Sequence, residues 1–253
     1  MRPRDFAVIA TERDDDVPLI TCDALLGDRV LLVLAPHPDD ESLGCGAVLA
    51  QVFARPGPVL KAHIICLTNG AASHPQSLAV PADKLAAIRR SELEAAVVHL
   101  GGTARDISFL CAKDGELVAS RAIVDEVITI ARAIDAGLVL APSPLDPHCD
   151  HEAAARIGRM VAAGLQDVRL GFYPVWSRWR GGGVAPVPHG TQAVRLPLGK
   201  FAAQKAAAIA AHASQQGLVV PDAPDGFQMP PGFAAFFSQR DEVFFLVAPE
   251  AGP

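Results

Sequence analysis

The chain has 253 residues, of which 50% are apolar and 20% are charged, and its formal net charge is −6. These values predict one globular domain with a sizeable core, and the negative charge argues against a nucleic-acid partner. No apolar run approaches the roughly 18 residues of a membrane span, and the first residues do not resemble a signal peptide. The cysteines form no CxxC pair, which predicts reduced thiols in a cytoplasmic protein; they are Cys22, Cys45, Cys66, Cys111 and Cys149.

Short apolar runs alternate with helical patterns through the first two thirds of the chain. The runs predict strands at 30–35, 59–67, 107–110 and 138–141. The patterns that follow them predict helices at 42–54, 82–100, 120–136 and 150–163. This alternation predicts a Rossmann-like α/β fold with a mostly parallel sheet flanked by helices.

The last third of the chain is less regular. Apolar runs predict strands at 168–175, 193–196 and 242–247, and an Ala-rich stretch predicts a helix at 199–214. The glycines at 181–183 and the Pro-rich stretch at 221–232 predict loops, either at the rim of a site or on the plain surface.

Two clusters of polar residues follow the first and the fourth predicted strands. The first cluster contains His37, Asp39, Asp40 and Glu41. The second cluster contains Asp146, His148, Cys149, Asp150 and His151. In open α/β sheets, ligands bind at the carboxyl ends of the strands. Crowding of carboxylates is costly unless a cation offsets their charge, so the two clusters predict a metal site.

A catalytic metal site needs three protein ligands and one open position. His37, Asp40 and His151 supply a set of two imidazoles and one carboxylate. Zinc at such a site lowers the pKa of bound water towards about 7 and polarises a carbonyl group.

Three neighbouring residues fit supporting roles in such a site. Asp39 is the candidate acceptor of the water proton, and His148 is the candidate for stabilising an oxyanion or protonating a leaving amine. Asp150 fits two interpretations: it orients a histidine through the free ring nitrogen, or it caps the helix that follows.

Several motifs resemble those of the LmbE-like family, which includes the N-acetylglucosaminyl-phosphatidylinositol de-N-acetylases. The sequence PHPDDE at 36–41 resembles the first family signature, and HCDH at 148–151 resembles the second, with Cys149 in place of a proline. Weaker similarities are found at 67–70, 89–101, 114–115 and 205–215. The resemblance therefore extends from about residue 30 to residue 215.

The resemblance implies a Rossmann-like fold and one zinc ion held by His37, Asp40 and His151. It also implies that Asp39 is the general base and that His148 is its acid or electrostatic partner.

The resemblance further implies that Arg89 and Asp114 bind polar groups of the substrate. Local alternatives are an ion pair of Arg89 with Glu92 within one helix and a tight turn at Asp114.

Trp176 and Arg178 lie in an aromatic and cationic stretch at 173–179. Because aromatic faces stack on sugar rings and arginine binds hydroxyl groups or phosphates, we predict that both residues form a wall of the substrate site. The alternative is a core patch at the end of a strand.

Together with the resemblance, these features predict a zinc-dependent N-deacetylase that acts on an N-acetylglucosamine-type sugar in a glycoconjugate or small metabolite. The expected organisation is a single domain, 1–253, with its core at about 30–215 and a C-terminal loop and strand at 216–253. The expected partner is a small N-acetylated amino sugar, and a homo-oligomer remains open. Other divalent metals fit the same ligands. Two alternatives are an iron enzyme with a 2-His-1-carboxylate site and a non-catalytic sugar-binding relative.

Overall fold

A computed structural model of the chain describes residues 8–57 and 61–248. Its strands are β1 (Val8–Arg13), β2 (Val30–Ala35), β3 (Ala62–Thr68), β4 (Ile107–Ala112), β5 (Ala136–Pro142), β6 (Arg169–Tyr173), β7 (Val184–Pro188), β8 (Thr191–Leu196) and β9 (Glu242–Val247). Its α-helices are α1 (Cys22–Leu26), α2 (Asp40–Phe53), α3 (Ala82–His99), α4 (Arg121–Ala133), α5 (Cys149–Ala163), α6 (Trp176–Arg180), α7 (Ala202–Ala211) and α8 (Phe233–Ser238).

Seven strands form the main sheet in the order β4-β3-β2-β5-β6-β9-β8. The five strands from β4 to β6 are parallel, and β9 is antiparallel to both β6 and β8. The chain winds outward from β2 through β3 in one direction and from β5 through β6 in the other. The carboxyl ends of β2 and β5 therefore flank the switch point, where open α/β sheets bind their ligands.

Alternate residues of β2 enter two hydrophobic cores on opposite faces of the sheet. Leu31 and Val33 pack with residues of α2, α3, α7 and α8, whereas Leu32 and Leu34 pack with residues of α4 and α5. A strand that is covered on both faces needs apolar residues at every position, which explains the uninterrupted apolar sequence of β2.

The predicted fold class is confirmed, while several element boundaries differ from the prediction. The strand expected at 59–67 is observed as β3 from Ala62, and residues 58–60 lie outside the described part. The helix expected at 199–214 is a 3-10 turn, then α7, then a second 3-10 turn, Ala213–Gln216. The break falls at His212, whose φ of −81° and ψ of 59° are not helical.

All five cysteines are free thiols. In the described part of the chain, no helix combines the length and the hydropathy that a bilayer span requires.

A buried carboxylate from β9 holds the middle of α2. Glu242 accepts hydrogen bonds from the backbone amides of Ala47 at 2.6 Å and Val48 at 2.8 Å. The ammonium group of Lys205 donates to the same carboxylate at 2.6 Å, and both side chains are fully buried. The last strand thereby fixes the position of the helix that begins at Asp40.

Gly44, in the second turn of α2, lies against the ring of Tyr173, whose hydroxyl donates to the Leu34 carbonyl at 2.8 Å. A Cβ atom at Gly44 would lie 2.1 Å from Cδ2 of that ring. We expect Gly44→Ala to lower the free energy of unfolding by about 1–3 kcal/mol, the usual cost of overpacking a core, despite the better helix propensity of alanine.

Urea unfolding of the two proteins measures this difference. Gly158→Ala in α5 is the matched control, because its nearest neighbour is the Ala141 Cβ atom at 3.0 Å. A loss of stability in Gly158→Ala that equals or exceeds that in Gly44→Ala would contradict the steric explanation.

Candidate metal centre and active site

Both predicted polar clusters lie at the switch point of the sheet. The residues from His37 to Asp40 connect β2 to α2, and those from Asp146 to His151 connect β5 to α5. We call their seven polar members the strand-end cluster: His37, Asp39, Asp40, Asp146, His148, Asp150 and His151. Parallel strands bring these two distant segments together, as the sequence predicted.

The imidazole of His37 lies between carboxylates on both sides. Its Nε2 is 2.9 Å from Asp150 Oδ2 and 3.2 Å from Asp114 Oδ1, and its Nδ1 is 3.2 Å from Asp40 Oδ2. Burial lowers the pKa of His37, but hydrogen bonds to Asp114, Asp150 and Asp40 outweigh it and raise the pKa well above the usual value. Of the two interpretations of Asp150, the structure shows the contact with a histidine. The residue that caps α5 is His148 instead.

Asp150 has little remaining capacity to bind a cation itself. Its Oδ2 accepts a hydrogen bond from the amide of Gly115 at 2.8 Å, and its Oδ1 accepts one from the amide of Leu117 at 3.0 Å. Together with the contact to His37, these hydrogen bonds lower the pKa of Asp150 to about 2 against the effect of burial. Asp150 therefore orients the His37 ring and fixes the loop at 113–117.

His151 presents one ring nitrogen that has no hydrogen-bond partner among the described residues. Its Nδ1 is 3.0 Å from Asp146 Oδ2, and since a carboxylate only accepts, the hydrogen lies on Nδ1. Its buried Nε2 is 3.3 Å from Asp40 Oδ1 without a hydrogen bond of suitable geometry. In the neutral form of the ring, which is the form that binds a metal, the lone pair at Nε2 faces Asp40.

The charge around His151 favours a cation. Burial lowers the pKa of this histidine, but the carboxylates of Asp40 and Asp146 outweigh it and raise the pKa to about 9. The same negative field attracts a metal ion, and a ring held through its other nitrogen by a carboxylate is typical of metal-binding histidines.

Two sets of ligand atoms in the cluster lie within 4.8 Å of one another. One set contains His37, His148 and His151, and the other contains His37, Asp114 and Asp150. Asp40 is in neither set; its two oxygens face His37 and His151 separately. His37 is the residue that the two sets share. His37 and His151 are thus candidate ligands, with Asp40 and His148 as candidates for a third ligand beside them.

Asp39 has an unusual backbone conformation for a residue other than glycine. It precedes α2 with a φ of 144° and a ψ of −27°, and strained conformations of this kind occur preferentially at active sites. Burial raises the pKa of its carboxyl group to about 6, although Arg89, whose Nη2 is 3.4 Å from Asp39 Oδ2, opposes the shift. A carboxylate with such a pKa is a suitable proton acceptor.

His148 lies at the start of α5 beside both buried histidines. Its ring centroid is 4.8 Å from that of His37 and 5.1 Å from that of His151. Burial and the two neighbouring histidines lower its pKa. Because its Nδ1 accepts the amide of Asp150 at 3.2 Å, the neutral ring carries its hydrogen on Nε2 and is able to donate it.

A cavity of about 260 Å³ opens above the strand-end cluster. Its polar lining residues include Asp39, His148, Arg89 and Asp114. We call the apolar lining residues the apolar wall: Leu43, Val175, Trp176, Phe227, Met229 and Phe233. A cavity lined by both polar and apolar residues is typical of small-molecule sites.

Two residues of the apolar wall come from the Pro-rich stretch at 221–232, which the sequence predicted as a loop. The amide of Phe227 donates to the Ser73 carbonyl at 2.7 Å, and that of Met229 donates to the Gln215 carbonyl at 2.7 Å. The rings of Trp176 and Phe227 pack edge to face with centroids 5.8 Å apart. This part of the stretch is therefore a held wall of the cavity.

Three of the four predicted substrate contacts line the cavity. Arg89 and Asp114 face it, as does Trp176. The helix ion pair between Arg89 and Glu92 is not observed, because Glu92 accepts hydrogen bonds from the amide and hydroxyl of Ser214.

Arg178 is the exception, and its predicted place in the substrate wall is corrected. Its side chain is buried away from the cavity, where its Nη2 is 2.6 Å from Asp14 Oδ2 and donates to the Asp241 carbonyl. The buried carboxylate of Asp14 therefore holds the guanidinium group away from the cavity.

Sequence reasoning assigned no role to Asp146. Besides His151, its carboxylate accepts hydrogen bonds from the amides of Val175 and Ser177, each at 2.9 Å, and from the Ser177 hydroxyl. Its position five residues before His151 within a polar cluster was the available signal. Asp146 connects the second histidine to the start of α6, which carries Trp176.

Comparisons with known proteins agree with this geometry. A family model described as PIG-L, GlcNAc-PI de-N-acetylase, matches residues 32–162, just over half of the chain. The search of curated proteins found no match.

Solved structures share the fold. N,N'-diacetylchitobiose deacetylase from Pyrococcus horikoshii is 23% identical, with coverage of 87% of this chain and 84% of that one and a TM-score of 0.61. The conserved protein TT1542 from Thermus thermophilus is 27% identical, with coverage of 89% and 96% and a TM-score of 0.61.

A third structure shows that this fold supports more than one reaction. GalB, the 4-carboxy-2-hydroxymuconate hydratase from Pseudomonas putida, is 17% identical, with coverage of 89% and 98% and a TM-score of 0.64. Membership of a family therefore rests on the family model, whose matched residues contain both segments of the strand-end cluster. The chain belongs to the GlcNAc-PI de-N-acetylase family.

Proposed function

We propose that this protein is a zinc-dependent N-deacetylase that hydrolyses the acetamide group of an N-acetylglucosamine-type sugar. The observation that carries the proposal is the buried Nε2 of His151, which lacks a hydrogen-bond partner among the described residues and lies beside Asp40 at the switch point. Family membership supports the choice of an N-acetyl group as the bond to be cleaved.

The donor set fits a divalent metal. Nδ1 of His37, a carboxylate oxygen of Asp40 and Nε2 of His151 would hold the ion, since each histidine has its other nitrogen occupied by a carboxylate. We choose Asp40 over His148 as the third ligand because Asp40 is buried and contacts both histidines, whereas Nδ1 of His148 accepts a backbone amide. When bound, zinc activates water and polarises a carbonyl group.

Side chains around the cavity would handle the protons of the reaction. Asp39 accepts a proton from the water whose oxygen attacks the carbonyl carbon of the acetamide. The Nε2–H of His148 stabilises the oxyanion that forms. The C–N bond then breaks, the proton passes to the leaving amine, and acetate and the free amino sugar are the products.

The cavity walls would bind the sugar. Arg89 and Asp114 are placed to bind hydroxyl groups, and Trp176 offers an aromatic ring to the same cavity. Ser73, which is half-buried, also lines the cavity and adds a hydroxyl group. Substrate orientation would therefore come from polar and aromatic lining residues together.

Replacing Asp146 with asparagine should weaken zinc binding by about 10–100-fold, the usual cost of losing an outer partner of a metal-binding histidine. The amide keeps the size of the carboxylate but removes the charge that fixes the hydrogen on Nδ1 of His151. Competition with a chromogenic chelator measures the zinc affinity.

The matched control for Asp146→Asn is Asp14→Asn, which removes another buried carboxylate with a cationic partner, Arg178. That variant should keep the zinc affinity of the unmodified protein. An unchanged affinity in Asp146→Asn would show that the contact with His151 does not contribute to metal binding.

Acetate release tests the proposed activity directly. We expect the zinc-loaded protein to release acetate from N-acetylglucosamine, from its β-glycosides or from N,N'-diacetylchitobiose. Acetate release should stop after chelation and resume when zinc is added. Zinc-loaded protein that binds these sugars without releasing acetate would be a non-catalytic relative. Activity restored by iron alone, with oxygen uptake, would indicate the iron enzyme instead.

A further inference from the structure

The peptide group between Pro38 and Asp39 is held at both ends by charged side chains. Arg89 Nη2 donates to the Pro38 carbonyl at 2.8 Å. The amide of Asp39 donates to Glu41 Oε2 at 3.0 Å. The orientation of this peptide sets the φ of Asp39, which at 144° lies in a region that side-chain-bearing residues rarely adopt. A conformation of this kind persists only where its surroundings enforce it.

Glu41 is itself held by a histidine from a distant part of the chain. Its other oxygen, Oε1, is 3.1 Å from Nε2 of His212, and both side chains are fully buried. The hydroxyl of Ser42 donates to the same oxygen at 2.5 Å. Because a buried carboxylate needs donors to offset its loss of hydration, His212 stabilises Glu41 in the position that receives the Asp39 amide.

Among the described residues, the side-chain hydrogen bonds of His212 are confined to this arrangement. Its Nδ1 has no hydrogen-bond partner within residues 8–57 and 61–248, and its Nε2 contacts Glu41 and Ser42. His212 lies where α7 ends, at a backbone conformation that is not helical. Helix α7 thus ends at the residue whose side chain contacts Glu41.

We propose that Glu41 and His212 are positioning residues, which hold the backbone of Asp39 so that its carboxylate faces the reacting water. The proposal rests on the proposed function, in which Asp39 accepts the water proton. Neither residue lines the cavity, so neither is expected to contact the sugar. Instead, the hydrogen bonds that connect His212, Glu41 and the amide of Asp39 determine the position of the base.

The test compares His212→Leu with His212→Gln. Leucine fills the buried space without a donor, whereas the amide of glutamine is able to donate to Glu41. We expect His212→Leu to lower kcat at least tenfold, with KM and zinc content within twofold of the unmodified protein. His212→Gln should recover most of the lost kcat.

His63 offers a matched control. It is another buried histidine with one bonded ring nitrogen, since its Nε2 is 2.9 Å from Ser108 Oγ and its Nδ1 has no partner in the described part. It lies on β3, away from the strand-end cluster. His63→Leu should therefore lower the melting temperature and leave kcat unchanged. An equal fall in kcat for both leucine variants would overturn the proposal and indicate general loss of packing.

A structural readout separates this proposal from the proposed function. In crystals of His212→Leu, or of His212→Ala if the leucine variant does not fold, we measure φ of Asp39. Both variants lack the donor to Glu41, so a return to negative φ supports positioning whether or not the protein is active. Unchanged φ would refute it.

Discussion

Replacing Asp39 with asparagine should lower kcat for acetamide hydrolysis by about 10²–10⁴-fold, the usual contribution of a general base. Asparagine has the same size and tolerates positive φ better than most residues, so the backbone at this position is preserved. What it lacks is the ability to accept a proton from water. The loss should therefore fall on kcat, while zinc content and sugar binding stay near those of the unmodified protein.

The control for this variant is Asp125→Asn, which neutralises an exposed carboxylate on α4 that pairs with Arg121. Its kcat should not change. Zinc content is measured in parallel by atomic emission. Loss of zinc from Asp39→Asn would show that Asp39 is a ligand, and unchanged kcat with full zinc would remove it from the reaction.

Replacing His151 with alanine should abolish zinc binding at stoichiometric concentration. The variant removes Nε2, the buried atom without a hydrogen-bond partner in the described chain, and leaves Asp146 without its histidine partner. The fall in affinity should exceed the roughly 10–100-fold expected for an outer partner such as Asp146. Calorimetric titration with zinc measures both variants.

His148→Ala distinguishes Asp40 from His148 as the third ligand beside His37 and His151. If Asp40 completes the site, this variant keeps its zinc and loses turnover, because His148 serves only the oxyanion. If zinc is lost from His148→Ala as completely as from His151→Ala, the ligands are the three histidines. Full zinc occupancy in His151→Ala would contradict both assignments, because each includes His151.

The parallel sheet and the location of the site were predictable because each depends on local sequence. The apolar runs of β2 and β5 identify buried strands, and the polar residues directly after them identify the strand ends. His37, Asp40 and His151 were therefore predicted as ligands from short segments alone, and the structure places them close together. Their proximity follows from the rule that parallel strands end at one edge.

The residues that hold the cluster were harder to predict, because their partners are distant in sequence. Glu41 contacts His212 across 171 positions, and Arg178 pairs with Asp14 across 164. Nothing in the local pattern distinguishes a buried arginine with a distant carboxylate from one that faces a substrate. The prediction for Arg178 was wrong for this reason, and the contact between Glu41 and His212 was not predicted.

The polar and the apolar residues that line the cavity come from different parts of the chain. Asp39, Arg89, Asp114 and His148 lie before residue 150, whereas five of the six apolar wall residues lie within 175–233. If the protein is the proposed deacetylase, substitutions at these five residues should change which sugar derivative is accepted more than they change bond cleavage. His212 lies in the same stretch and is the exception, because we propose that it positions Asp39. Exchange of residues 218–232 between relatives leaves His212 in place and is accordingly expected to alter substrate preference.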